Sequence, residues 1–128
     1  MYTVSKSFTF EAAHQLTRHL DSKGNPGKCS RLHGHSYTLI VHCGSDKLQE
    51  VGSSTGMVID YQNISDVVDP LVESVDHRNL NMRFGGIQTT AEEICRWFWS
   101  QLHTQLPLVA VDIWETGKTR VRYTGPDD

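Results

Sequence analysis

Tyr2-Thr3-Val4-Ser5-Lys6-Ser7-Phe8-Thr9-Phe10 decides the fold class of this chain, because Tyr2, Val4, Phe8 and Phe10 alternate with Thr3, Ser5, Ser7 and Thr9. Successive side chains of a strand point to opposite faces, so a period of two buries one face and leaves the other in water. Only Lys6 interrupts the apolar row. His14 has the parity of Phe8 and Phe10 and falls at the end of the same strand, so its imidazole faces the same side as the apolar row.

Beyond this strand, Gly24-Asn25-Pro26-Gly27 breaks regular structure, and Tyr37 to Cys43 reads as a second strand ending at Gly44. Cys29 therefore lies on a loop that enters a strand. Met57 to Tyr61 is a short apolar extended run with room for a further short strand. Ile64, Val67, Val68, Leu71 and Val75 then recur at helical spacing, with Pro70 expected to kink that helix by removing a backbone hydrogen bond. Thr90-Ala91-Glu92-Glu93 is a capping-box sequence opening a second helix, whose apolar face is Ile94, Trp97, Phe98 and Leu102 and which Pro107 stops. Leu108 to Thr116 and Thr119 to Thr124 form a hairpin across Gly117-Lys118, a Gly-X pair suited to a type II′ turn. The order β-β-α-α-β-β predicts an α+β fold, an antiparallel four-stranded sheet with two helices on one face.

The 128 residues are enough for one domain, 1–128, with a real core and too few for two. A net charge of −3, with Lys and Arg scattered, provides no basic patch for nucleic acid or an anionic membrane surface. No apolar run approaches the roughly 20 residues that span a bilayer, and Met1 to Lys6 lacks the pattern of a signal peptide, so a soluble cytoplasmic protein is expected. Three cysteines, Cys29, Cys43 and Cys95, are an odd count and are expected as free thiols, with Cys43 and Cys95 buried and inert.

The chemistry concentrates in Cys29-Ser30-Arg31-Leu32-His33-Gly34-His35. On a strand rising ~3.3 Å per residue, His33 and His35 share a face about 6.6 Å apart, within reach of one metal ion. Pairing the first two strands brings His14 opposite this unit, so three imidazoles converge. Three neutral histidines with a vacant fourth position are the pattern of a catalytic zinc centre, whereas structural zinc usually takes four protein ligands. Cys29 is either a fourth ligand, closing the site, or a reactive thiol beside the metal, and Lys28 and Arg31 favour its thiolate in both cases.

Two further groups stand out. Asp76-His77, followed by Arg78-Asn79-Leu80-Asn81, is either a carboxylate-oriented imidazole suited to proton transfer or an ordinary helix end in which His77 complements the dipole. Glu115 ends the otherwise apolar row Val109, Val111 and Ile113, so it is either an exposed strand end or a carboxylate placed for bidentate capture of a planar amidine-like edge.

Phe10-Glu11-Ala12-Ala13-His14, the Cys29-to-His35 segment, Thr55-Gly56-Met57-Val58-Ile59-Asp60-Tyr61, Asp76-His77-Arg78-Asn79-Leu80-Asn81, Thr89-Thr90-Ala91-Glu92 and Trp114-Glu115-Thr116 together resemble the 6-pyruvoyltetrahydropterin synthase superfamily over nearly the whole chain. Three residues between Cys29 and His33, within Cys-x-Arg-Leu-His-Gly-His, resemble the branch that forms a 6-carboxy product; the biopterin branch has a longer spacing there. The resemblance implies a tunnelling fold (T-fold) whose subunits join their sheets into a barrel, a homo-oligomer, by analogy a hexamer, with pterin sites at subunit interfaces. It implies Zn2+ held by His14, His33 and His35, Cys29 as proton acceptor, Asp76 and His77 as a relay, and Glu115 as the pterin anchor. The implied substrate is 7,8-dihydroneopterin triphosphate, with Arg31, and with it Lys23 or Lys28, near the triphosphate and Thr89 and Thr90 near the ring. The implied reaction releases triphosphate and acetaldehyde in 7-deazaguanine (queuosine) biosynthesis. Two alternatives are a pyruvoyl synthase that eliminates triphosphate without carbon-carbon cleavage, and a non-catalytic domain stabilised by zinc. A zinc peptidase is disfavoured, since no His-Glu-x-x-His occurs. The longer segment between Cys43 and Gly56, with Ser53-Ser54, departs from the pattern and is expected as a surface hairpin insertion.

Overall fold

The computed structural model describes residues 1–126. The N-terminal alternation becomes β1 (Tyr2–His14), antiparallel to β2 (His33–Ser45) in a register that sets Phe8 opposite Leu39, Phe10 opposite Tyr37 and His14 opposite His33. The chain continues through α1 (Tyr61–Val75), β3 (Arg78–Asn79), α2 (Leu80–Phe84), α3 (Ala91–Leu102), β4 (Leu108–Thr116) and β5 (Thr119–Tyr123). The sheet order is β3-β1-β2-β4-β5, with every pair antiparallel except β1 with β3. The α+β class and the antiparallel four-stranded core of the sheet are as expected.

Several details differ from expectation. A fifth strand, β3, is two residues long and runs parallel to β1 beside Ala12 and Ala13, too short to carry a period. A third helix, α2, follows it at once: the Asn79 side chain accepts the N–H groups of Asn81 and Met82, and buried Leu80 anchors the turn. Met57 to Tyr61 is not a strand; instead Gln49 N–H donates to Met57 O at 2.9 Å and Gly56 N–H to Gln49 O at 2.8 Å, which closes the expected hairpin-like insertion as a loop. α1 continues through Pro70, whose exposed position leaves the unsatisfied carbonyl of the preceding turn open to water. The hairpin turn is two residues long, yet neither Gly117 nor Lys118 has the positive φ of a type II′ turn. A register shift between Trp114 and Thr116 makes Glu115 an extra residue on β4, and such a bulge supplies local twist that a primed turn would otherwise provide.

α1 and α3 cover one face of the sheet. Ile64, Val68 and Val75 of α1, and Ile94, Cys95, Phe98 and Leu102 of α3, join Phe10, Tyr37, Leu39, Val41, Val111 and Ile113 in one core. Phe10 and Tyr37 stack with ring centroids 4.9 Å apart, and each such buried side chain contributes about 1.5–3 kcal/mol relative to exposure. Lys6, the exception in the first strand, reaches out of this layer to Ser65 Oγ on α1. Thr90 caps α3 by accepting Glu93 N–H, while the Glu93 carboxylate pairs with Arg96 at 2.7 Å, so only half of the capping box forms. The opposite face of the sheet is polar. There Ser5 Oγ meets His42 Nδ1 at 2.6 Å, His42 Nε2 meets Asp112 at 2.9 Å, and Arg122 donates twice to the same carboxylate, which joins β1, β2, β4 and β5.

Candidate active site

Apart from Lys6, the inward rows of β1 and β2 are apolar until they reach the sheet end, where they turn into imidazoles. Ala12 lies opposite His35 and His14 opposite His33, directly beyond the Phe10–Tyr37 pair. The three rings lie with centroids 4.6, 4.9 and 5.2 Å apart, and one ligand nitrogen from each falls within 4.8 Å of the others. His14 Nδ1–H donates to Thr89 O at 2.7 Å and His33 Nδ1–H to Arg31 O at 2.7 Å. These bonds fix both tautomers and leave the Nε2 lone pairs free, the arrangement found around metal-ligating histidines. Burial, against the weaker opposing pull of neighbouring groups, lowers the pKa of both His14 and His35, so both are neutral at pH 7, the form that ligates.

The fit of a divalent ion rests on orphaned atoms. His14 Nε2 and His35 Nε2 are buried without a hydrogen-bond partner, a costly state that a metal ion relieves. Glu115 Oε1 lies 3.4 Å from His35 Nε2, near the ligand atoms but without hydrogen-bond geometry. Three imidazole nitrogens suit zinc. Cys29 is not part of this cluster: it sits on the 3₁₀ turn Lys28–Ser30, half-buried, where its carbonyl accepts Leu16 N–H at 2.8 Å and so ties the 17–32 loop to the end of β1.

The remaining expected residues separate into two places. Glu115 and Thr90 line one cleft, with Leu16, Ile113 and Arg120. Thr89 lies behind it, fully buried, with its carbonyl and hydroxyl directed at His14 and Asn81. The Arg31 side chain is exposed beside His33. Asp76 and His77 pair at 3.0 Å, and Asp76 also accepts Glu11 N–H at 2.9 Å, which with His77 holds its carboxyl below the usual range. His77 has φ 58°, unusual for a residue with a Cβ, stabilised by its N–H bond to Glu11 O. His77, with Glu11, Ser36, Arg78 and the β2 segment at His35, lines a cleft of about 410 Å³ on the polar face of the sheet, and Asp76 stands behind His77. Among the described residues no hydrogen bond joins Cys29 to Asp76 or His77.

Tyr37, Arg120 and Glu11 are at the site without having been singled out from sequence. Tyr37 Oη is buried without a partner beneath His14 and His35, and burial, then the Glu115 charge, pushes its pKa up. Its place follows from strand parity alone, two residues past His35. Cys43 and Cys95 are buried and free as expected, their thiols pushed up to about 11 and about 12 by burial.

The fold and this centre define an α+β protein of the tunnelling-fold type, with a three-histidine cluster able to hold a metal ion at the end of its sheet. A family profile described as 6-pyruvoyl tetrahydropterin synthase matches residues 3–126, and the chain belongs to that family. A 6-carboxy-5,6,7,8-tetrahydropterin synthase from Synechocystis sp. is 41% identical over 98% of this chain and 95% of its own length. One from Haemophilus influenzae is 32% identical over 96% of this chain and 99% of its own. The solved structure of Caenorhabditis elegans 6-pyruvoyl tetrahydropterin synthase superposes with a TM-score of 0.79 at 29% identity, covering 98% of this chain and 96% of that one. Among the described residues no helix is long and apolar enough to cross a membrane.

Proposed function

We propose that this chain is a zinc-dependent carbon-carbon lyase that converts 7,8-dihydroneopterin triphosphate to 6-carboxy-5,6,7,8-tetrahydropterin, releasing acetaldehyde and triphosphate. The observation that carries this reading is the set of three convergent imidazoles with free Nε2 atoms beside the Glu115 carboxylate. His14, His33 and His35 would hold the zinc ion, which when bound supplies Lewis acidity to the side-chain hydroxyls of the substrate. Glu115 accepts the two N–H groups of the amino-pyrimidinone edge of the pterin, a bidentate match for a carboxylate. Cys29, outside the ligand set, takes the proton from the adjacent side-chain carbon, and His77, oriented by Asp76, returns or relays protons. The exposed Arg31 meets the triphosphate, with Thr90 at the mouth of the Glu115 cleft.

His77 opens on the polar face while the histidine cluster caps the helix-covered face, and among the described residues no hydrogen bond joins Cys29 to Asp76 or His77. This supports a homo-oligomer, a hexamer by family analogy, in which sheets join into a barrel and a second copy completes each site. The enzyme works in the cytoplasm in 7-deazaguanine (queuosine) biosynthesis, as one domain over 1–128; its free cysteines suit a reducing compartment. The relatives named for the 6-carboxy product and the three-residue spacing from Cys29 to His33 favour this branch over the pyruvoyl synthase.

The test is product analysis of the purified, zinc-loaded protein given 7,8-dihydroneopterin triphosphate. Acetaldehyde and a 6-carboxy pterin in equal amounts are expected. A tetrahydropterin that retains all three side-chain carbons, without acetaldehyde, would assign the chain to the pyruvoyl branch.

A further inference from the structure

The segment 76–81 runs alongside the end of β1 residue by residue. Asp76 and His77 bond to Glu11, Arg78 pairs with Ala12, and Asn79 with Ala13. Beyond His14 the strand ends, and the side chain of Asn81 takes over the pairing: its Oδ1 accepts Gln15 N–H at 2.8 Å and its Nδ2–H donates to Gln15 O at 2.9 Å. The same Oδ1 accepts the Thr89 hydroxyl at 3.2 Å, and that hydroxyl lies 3.2 Å from His14 Nδ1, whose proton goes to Thr89 O at 2.7 Å. Thr89 and His14 are both fully buried, so water does not replace a lost partner there.

We propose that Asn81 is a positioning residue for the metal centre, holding the backbone after His14 and, through the Thr89 hydroxyl, the direction in which His14 presents Nε2. The inference rests on the metal reading of the three histidines. It assigns to Asn81 a role that its place in the first turn of a five-residue helix does not require, since Asn79 and Leu80 already anchor that helix. The clamp also ties the segment carrying Asp76 and His77 to the strand carrying His14, so the two chemical groups keep a constant relation.

Cobalt titration of the metal-free full chain, read by its visible absorption, tests this without any turnover. Asn81→Ala is expected to weaken cobalt binding by about 10- to 100-fold, the usual cost of removing a partner that orients a ligand. Asn81→Asp keeps the Oδ1 acceptor and is expected to bind more tightly than Asn81→Ala. Thr89→Val, nearly the same shape, removes the hydroxyl that bridges Asn81 and His14 while keeping the bond from His14 to Thr89 O, and is expected to lose several-fold; it keeps the test open if Asn81→Ala does not fold. Ile64→Val, in the core far from the site, is expected to lower thermal stability and leave cobalt affinity unchanged. Native affinity in both Asn81→Ala and Thr89→Val, or an equal loss in Ile64→Val, would overturn the proposal. A native chain that binds no cobalt would overturn the metal reading itself, a separate failure visible before any variant is made.

Discussion

At the scale of single residues, the site is legible in sequence where its geometry follows from strand parity. His14, His33 and His35 share the face of Phe10 and Tyr37, so their convergence follows once β1 and β2 pair. Thr89 and Asn81 are different: they act through contacts spanning 75 and 66 residues that no local pattern announces. Cys29 lies outside the imidazole cluster, and the role of base proposed for it makes a sharp prediction. Cys29→Ala is expected to lower turnover by at least about 100-fold, the scale of acid-base catalysis, with zinc content unchanged by elemental analysis. Full activity in that variant would remove the thiol from the mechanism. Glu115→Ala is expected to weaken pterin binding by about 10- to 100-fold, because charge-assisted hydrogen bonds of about 1.5–3 kcal/mol are lost. Calorimetric titration with the product pterin measures this, and unchanged affinity would place Glu115 outside the binding site.

At the scale of elements, β1, β2, the β4–β5 hairpin, α1 and α3 follow from periodicity, while β3 and α2 are too short to show any. The bulge at Glu115 is likewise invisible to an alternation of apolar and polar residues, although it aims a carboxylate at His35. The polar face of the sheet is held by Asp112, only 2% exposed, between His42 and Arg122. Burial alone would raise the carboxyl pKa, but hydrogen bonds from Arg122 and His42 outweigh it and lower the value. A carboxylate whose folded pKa is depressed stabilises the fold above its unfolded value of about 3.9, and that contribution vanishes as pH falls through the lower folded value. Asp112→Asn is therefore expected to be less stable than native at pH 7, with the difference shrinking below about pH 4. Urea unfolding at both pH values checks this, and a gap that widens in acid would contradict it.

At the scale of the whole molecule, the two faces of the sheet divide the chemistry. The helix-covered face carries the core and, at its end, the histidine cluster; the polar face carries the cleft lined by His77. The division is hard to read from sequence because Asp76-His77 follows a helix rather than a strand, and only the two-residue β3 fixes which side it faces. Among the described residues the one group of three or more side chains that could hold a metal ion is His14, His33 and His35, at the end of the core rather than within it, so the chelated protein is expected to keep its far-ultraviolet circular dichroism while losing activity; unfolding on chelation would mark the ion as structural. The proposed mechanism requires an open three-histidine centre with the thiol left free. X-ray absorption at the zinc edge of the purified protein tests it most directly. Three imidazole nitrogens with a nitrogen- or oxygen-type fourth ligand, at about 2.0–2.1 Å and with no sulfur, are predicted, whereas a sulfur scatterer near about 2.3 Å would place Cys29 on the metal and contradict the account.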